Sequence, residues 1–254
     1  MKKIYSFCKN WAIAFLHPRP LLGIFYLPRF FAHYYQYKKL APLQKLRTQD
    51  LHPCLGDWVA ETPFDPHYFY QGAWLARKLK ANMATEHVDI SSSALTMSVL
   101  SAFVNTTFVD FRPLKAKITG LSCIAGDILN LQFLASSISS LSCLHVIEHI
   151  GLGRYGDPLD PNGSVKAALE LQRVVQVGGK LMLSVPVGVE RVCFNAHRVF
   201  NPKTIIDIFD QMKLVDFSLI DDDGSYQENC DPSEGAHLNY GCGLFTFEKI
   251  TPPL

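Results

Sequence analysis

Four carboxylates are spaced along this chain as a shared ligand site would need them. Asp89, Asp110, Asp127 and Glu148 fall at or near the ends of four short β-type runs, at 86–90, 106–111, 118–128 and 138–147. In open α/β sheets a ligand sits beyond the carboxyl ends of the strands, where the strand order reverses. An acid in that place also caps the helix that follows a strand. Four in register argue for one crevice. Next to it, His149, Glu148 and His197 are candidates for taking a proton from an acceptor hydroxyl, because a neutral imidazole is a suitable base near pH 7. His87 and His145 read as internally hydrogen-bonded structural residues.

The glycine-rich loop 151–163 carries Arg154, Tyr155, Asp157 and Asp160. These polar and planar groups suit a sugar or phosphate acceptor. Asn195, His197 and Arg198 follow the fifth strand, and Arg191 and Arg198 add positive charge for a phosphorylated or carboxylated glycan. His145, Glu148 and His149 also match the H-x-x-E-H spacing of inverted zincins, in which two histidines on one helical face bind zinc. At a strand end, alternation sends the two histidines to one side and the glutamate to the other. No metal is expected here.

The elements that must hold these groups follow from the hydrophobic pattern. From residue 86, β-type runs alternate with helix-length intervals, the pattern of a parallel sheet covered on both faces. Residues 94–103 read as a helix. Ser164 reads as the cap of a helix reaching about 175, stopped by Gly178 and Gly179. The run 180–187 is apolar throughout, as a strand buried on both faces requires. Asn201 caps a helix with Pro202 in its first turn. Residues 214–220 and 244–250 read as an antiparallel hairpin at the sheet edge. The prediction is an α/β fold with a mostly parallel seven-stranded sheet, residues 84–254, behind a helical extension, residues 1–83.

Composition narrows the setting. Seven cysteines without a C-x-x-C pair exclude a zinc ribbon or dithiol motif. Free thiols and no credible signal peptide point to a cytoplasmic protein. The net charge of +1 hides an asymmetry, since residues 1–50 hold nine Lys or Arg against Asp50 alone, together with eleven aromatics. Basic and aromatic residues together suit a membrane surface, while prolines 18, 20 and 28 break the roughly 20 apolar residues that a crossing needs. A helical arm packed on protein is the alternative. The remainder is net acidic, which excludes a basic nucleic-acid groove. The oligomeric state is left open.

The segments His87-Val88-Asp89-Ile90, Phe108-Val109-Asp110, Gly126-Asp127-Ile128, 140–149 and 169–186, the last containing Val177-Gly178-Gly179-Lys180, resemble the class I S-adenosylmethionine-dependent methyltransferase superfamily over about residues 84–250. The resemblance implies its Rossmann-like fold and S-adenosylmethionine as cofactor. It implies that Asp110 accepts the ribose hydroxyls, that Asp127, with Ile128 beside it, meets the adenine, and that the turn after Asp89 faces the methionine part. A carboxylate can accept two bonds from a vicinal diol. The family places glycines in that turn, whereas this chain has Ser91, Ser92 and Ser93. Serine lacks glycine's conformational freedom, although Ser91 and Ser93 can donate hydroxyl bonds. Residues 145–158 and 194–198 are similar to an uncharacterised branch associated with bacterial surface-polysaccharide genes. The resulting reading is O-methylation of a sugar or glycolipid by an enzyme at the inner membrane face. Its alternative is an inactive methyltransferase-like scaffold in a glycan assembly complex.

Overall fold

A computed structural model describes residues 20–251; residues 1–19, part of the basic and aromatic segment, lie outside the described residues. Two compact units divide between Phe64 and Asp65. The first contains helix α1 (Pro20–Leu40) and a 3-10 turn, Thr48–Asp50. The helix continues through Pro28, so this proline does not end it, although it removes one backbone donor. Phe25 and Tyr35 are well exposed on it, and the Arg29 guanidinium lies over the rings of Tyr26 and Trp58 at 4.6 and 4.2 Å. No described helix is long and apolar enough to cross a membrane.

The second unit begins with helix α2 (Pro66–Ala81), capped by Asp65, whose carboxylate accepts the Tyr68 N–H at 3.2 Å. The sequence reading put this segment in the extension. Its Trp74, Leu75 and Leu79 are buried against Met97, Leu100, Phe108, Met182 and Leu244, so it belongs to the sheet unit. Burying side chains of this size contributes about 1.5–3 kcal/mol each, which fixes the helix on the sheet.

The strands are β1 (Glu86–Ile90), β2 (Asn105–Asp110), β3 (Leu121–Ala125), β4 (Ile138–Leu144), β5 (Val175–Val187), β6 (Arg191–Cys193), β7 (His197–Val199), β8 (Met212–Ile220), β9 (Tyr226–Gln227) and β10 (Gly241–Lys249). The main sheet has order β3-β2-β1-β4-β5-β10-β8-β9. The first five strands are parallel, and β10 runs antiparallel between β5 and β8. The expected antiparallel hairpin is therefore present as β8 and β10, with β10 its inner strand against β5. The sheet has eight strands instead of seven because the two-residue β9 extends the edge. A separate β6–β7 ribbon was not foreseen. Strand order reverses between β1 and β4.

Helix α3 (Ala94–Leu100) follows β1, α4 (Gly163–Val174) links β4 to β5, and α5 (Pro202–Ile208) follows β7. The connections 111–120 and 126–137 contain no helix. Ser122 and Ile124 of β3 are exposed as a result, so the sheet is not covered on both faces at this edge. Two local expectations also change. Ser164 does not cap α4; Asn162 occupies that position, and Ser164 Oγ donates to the Ile147 carbonyl at 2.5 Å. The helix ends at Val174 and the chain turns directly into β5. Gly178, at φ 74°, lies in a bulge between the pairs Ile138–Val175 and Ser140–Lys180. Asn201 caps α5 as predicted, accepting from the Lys203 N–H.

Candidate functional site

The carboxyl ends of β1 to β4 lie along one edge, because the parallel register aligns Asp89 with Phe108 and Ser142, and Asp110 with Ala125. Asp89 is fully buried there. Its Oδ2 accepts from Ser142 Oγ and its Oδ1 accepts from the Ser92 N–H at 3.0 Å. Burial pushes this carboxyl up to about 6, against the two serine bonds. His87, on the same face of β1, lies 2.8 Å from Ser142 Oγ and 2.9 Å from Ser140 Oγ. Burial lowers the imidazole to about 4. His87 is structural, as read from sequence, whereas Asp89 turns inward and touches the crevice only through the turn it holds.

That turn has the backbone glycine ordinarily supplies. Ser91 adopts φ 54°, with its N–H on Val109 O at 2.8 Å and its hydroxyl on the same oxygen at 3.2 Å. Ser92 Oγ accepts the Leu144 N–H, and Ser93 Oγ accepts from Thr96 as the cap of α3. Asp110 ends β2 half-buried, accepting the Arg112 N–H at 2.7 Å. Asp127 is exposed two residues past β3 and accepts the Leu129 N–H at 2.9 Å. A side chain at Gly126 would strike Val109, so glycine is needed for this close approach. Ile128 is 7% exposed and belongs to the core.

Glu148 is not at a strand end. Strand β4 stops at Leu144, His145 takes φ 54°, and Glu148 lies in the 3-10 turn Ile147–His149. The turn puts Glu148 between the two histidines, with Oε1 2.8 Å from His145 Nδ1 and 3.7 Å from His149 Nε2. This differs from the alternation expected for a strand. Glu148 Oε2 is buried without a hydrogen-bond partner. His145 Nε2 lies 3.4 Å from Cys242 Sγ, and its ring stacks on His67 at 5.5 Å. Tyr240 stacks on His67 at 5.3 Å and meets His197 at 4.9 Å. His67, Tyr240 and Cys242 come from α2 and the start of β10, and no local motif marked them.

His149 Nδ1 lies 2.6 Å from Ala196 O. The bond assigns the proton to Nδ1 and leaves Nε2 as acceptor. Burial lowers His149, with Glu148 opposing, and burial followed by the nearby His149 lowers His197. Both shifts favour the neutral base form. For His145, burial alone acts downward, but Cys242 and Glu148 hold it well above its ordinary value.

Of the predicted acceptor residues, Arg154 and Tyr155 are exposed beside His149. Arg154 Nη1 donates to Ala196 O at 2.9 Å, and the guanidinium groups of Arg112 and Arg154 lie 5.0 and 5.2 Å from the Tyr155 ring centre. These contacts join the loop after Asp110 to the glycine-rich loop 151–163. Asn195 is exposed nearby. Asp157 is instead a loop organiser, accepting from the N–H groups of Gly151, Tyr155 and Gly153. Arg198 is 8% exposed and donates to Ile150 O at 2.7 Å, Ser164 Oγ at 2.9 Å and Pro161 O at 3.3 Å. It faces the protein, whereas the Asp160 carboxylate pairs at the surface with Lys166 at 2.7 Å. A groove lined by Glu86, Asn105, Thr107, Gly120 and Ser122 lies at the opposite, amino end of the strands. It reflects the helix-free connections around β3.

A family model described as a Caenorhabditis protein of unknown function, DUF268, matches residues 121–227. No curated protein matches the chain. Among solved structures, the N-methyltransferase NodS from Bradyrhizobium japonicum WM9, in complex with S-adenosyl-L-homocysteine, is similar at TM-score 0.52 and 17% identity, covering 86% of this chain and 98% of that one. Burkholderia thailandensis 1,6-didemethyltoxoflavin-N1-methyltransferase, with bound 1,6-didemethyltoxoflavin and S-adenosylhomocysteine, is similar at TM-score 0.50 and 10% identity, covering 76% and 94%. The [4+2]-cyclase SpnF is similar at TM-score 0.50 and 10% identity, covering 72% and 81%. At these identities the likeness is one of fold, and a cyclase among the neighbours shows that fold alone does not fix the reaction. The sheet order and the antiparallel β10 establish the chain as having the Rossmann-like fold of these methyltransferases.

Proposed function

We propose that this protein is an S-adenosylmethionine-dependent methyltransferase acting on a hydroxyl of a sugar or glycolipid. The observation that carries the reading is the left-handed turn at Ser91, set at the strand-order reversal beside an acid at the end of β2. The burial of these residues supports the cofactor roles: Asp110, half-buried at the end of β2, would accept the ribose diol, exposed Asp127 would accept the adenine amine, and the Ser91–Ser93 turn would face the methionine part. When bound, the cofactor supplies an electrophilic methyl group. Asp89 positions the turn through Ser92 and Ser142.

On the acceptor side, His149 Nε2 takes the hydroxyl proton, its ring held by Ala196 O, while buried Glu148 stabilises the imidazolium. His197 is the second base candidate. Arg154, Tyr155 and Asn195 offer exposed polar and planar surface to a glycan. Calorimetric titration with S-adenosylmethionine and S-adenosylhomocysteine tests the reading, which fails if neither binds at millimolar concentration. Asp110→Ala is expected to abolish binding while leaving the fold intact. The inactive scaffold is the second reading, supported by the engagement of all three turn serines within the protein.

The finer setting is a membrane-peripheral enzyme of glycan synthesis, with residues 1–50 on the lipid surface. Phe25 and Tyr35 on α1 support that part. The full chain is expected to sediment with anionic liposomes and a version lacking residues 1–50 to stay in solution. Equal sedimentation of both would refute lipid anchoring.

A further inference from the structure

We propose that His67, His145 and Cys242 bind one divalent transition-metal ion, with zinc as the best chemical match. Among the described residues, these three ligand atoms lie within 4.8 Å of one another. His145 Nε2 and Cys242 Sγ are 3.4 Å apart. Two ligands of a tetrahedral zinc ion, at about 2.0–2.1 Å for nitrogen and 2.3 Å for sulfur, are separated by about 3.6 Å. The pair is therefore already close to its ligating distance. A set of two imidazoles and one thiolate suits zinc.

Glu148 gives the second, independent observation. His145 uses its other nitrogen, Nδ1, to bond Glu148 Oε1 at 2.8 Å, and both side chains are almost inaccessible, at 6% and 1%. A carboxylate behind a ligating imidazole fixes the tautomer and the ring direction and makes the free nitrogen a better donor. The other oxygen of Glu148 is buried without a hydrogen-bond partner, a costly position for a carboxylate oxygen. A dication at the three ligands would balance the charges of Glu148 and the Cys242 thiolate.

The site is distinct from the H-x-x-E-H reading. His149 points Nδ1 at Ala196 O and Nε2 toward Glu148, so it is outside the ligand set. The ligands come instead from α2, the link after β4, and β10. Three protein ligands leave one tetrahedral position for water or an acceptor heteroatom, the arrangement of catalytic rather than structural zinc sites.

The test uses full-length protein purified without chelator and without cofactor, so its outcome is separate from that of the cofactor titrations. Elemental analysis is expected to find about one zinc per chain. Cobalt(II) added to the metal-free protein is expected to give tetrahedral visible bands and a thiolate-to-cobalt charge-transfer band. Cys242→Ser should remove that charge-transfer band, while Cys143→Ser, a buried cysteine in the other core, should keep it. Glu148→Gln should weaken cobalt binding by about 10–100-fold. Should Cys242→Ser fail to fold, His67→Ala, on the half-buried side of the site, must weaken cobalt binding. Absence of bound metal together with no cobalt spectrum would overturn the proposal, as would a charge-transfer band that survives Cys242→Ser.

Discussion

Ser91 concentrates the residue-scale question, because it holds at φ 54° a backbone conformation that glycine reaches without strain. A non-glycine residue in the left-handed region costs about 1–2 kcal/mol. Replacement by glycine relieves this but returns about 0.5–1 kcal/mol of chain entropy and about 1 kcal/mol for the lost bond to Val109 O. Ser91→Gly is therefore expected to leave the unfolding midpoint nearly unchanged and to tighten S-adenosylmethionine binding by removing a side chain from the turn. Ser91→Val should lower stability by about 2 kcal/mol, since it keeps the strain, adds β-branching and loses the bond. Calorimetry and thermal melts check both, and weaker cofactor binding by Ser91→Gly would refute this account. The identities of Asp110 and Asp127 at their strand ends were legible from spacing. The inward turn of Asp89 was not, because it depends on Ser142, 53 residues away.

At the scale of elements, the glycine-rich loop 151–163 is held by one buried guanidinium. Arg198 of β7 reaches the carbonyls of Ile150 and Pro161 and the hydroxyl of Ser164 at the start of α4. Its burial lowers its proton affinity, against the attraction of Asp160 and Asp157. Arg198→Met keeps much of the volume but removes the donor to the buried Ser164 hydroxyl and the half-buried Ile150 carbonyl, a loss of about 2 kcal/mol. The expected result is a lower denaturant midpoint together with faster hydrogen exchange in residues 151–163. A loss under about 1 kcal/mol would show that the clamp is dispensable. Sequence reading placed Arg198 on a charged substrate because a lone arginine in a loop-like stretch carries no sign of burial. The β6–β7 ribbon that buries it is three residues per strand, too short for a periodic signal.

Across the whole molecule, stability against pH should show two opposed contributions from β1. His87 falls from 6.5 to about 4 on folding, so its stabilisation is complete above pH 6.5 and is lost as pH falls toward 4. Asp89 rises from 3.8 to about 6, so its stabilisation is present below pH 3.8 and is lost as pH rises through 6. Between pH 4 and 6 the unfolded chain protonates His87 while the folded one protonates Asp89, and the two slopes cancel. Asp89→Asn leaves the His87 contribution alone. Relative to the parent, the variant is expected to lose about 2 kcal/mol between pH 6.5 and 4. Denaturant melts across that range check it, and parallel curves for the two proteins would contradict it. The alternation of strands and helices, the acids at the ends of β1 and β2, the cap at Asn201 and the antiparallel final strands were determined by local sequence, since period, capping and strand-end chemistry are short-range. Only the tertiary structure decided that α2 packs on the sheet, that β9 adds an eighth strand, and that His67 and Cys242 meet His145. Those outcomes depend on which distant apolar faces exclude water together, and contacts between residues 67, 145 and 242 leave no periodic trace in the chain.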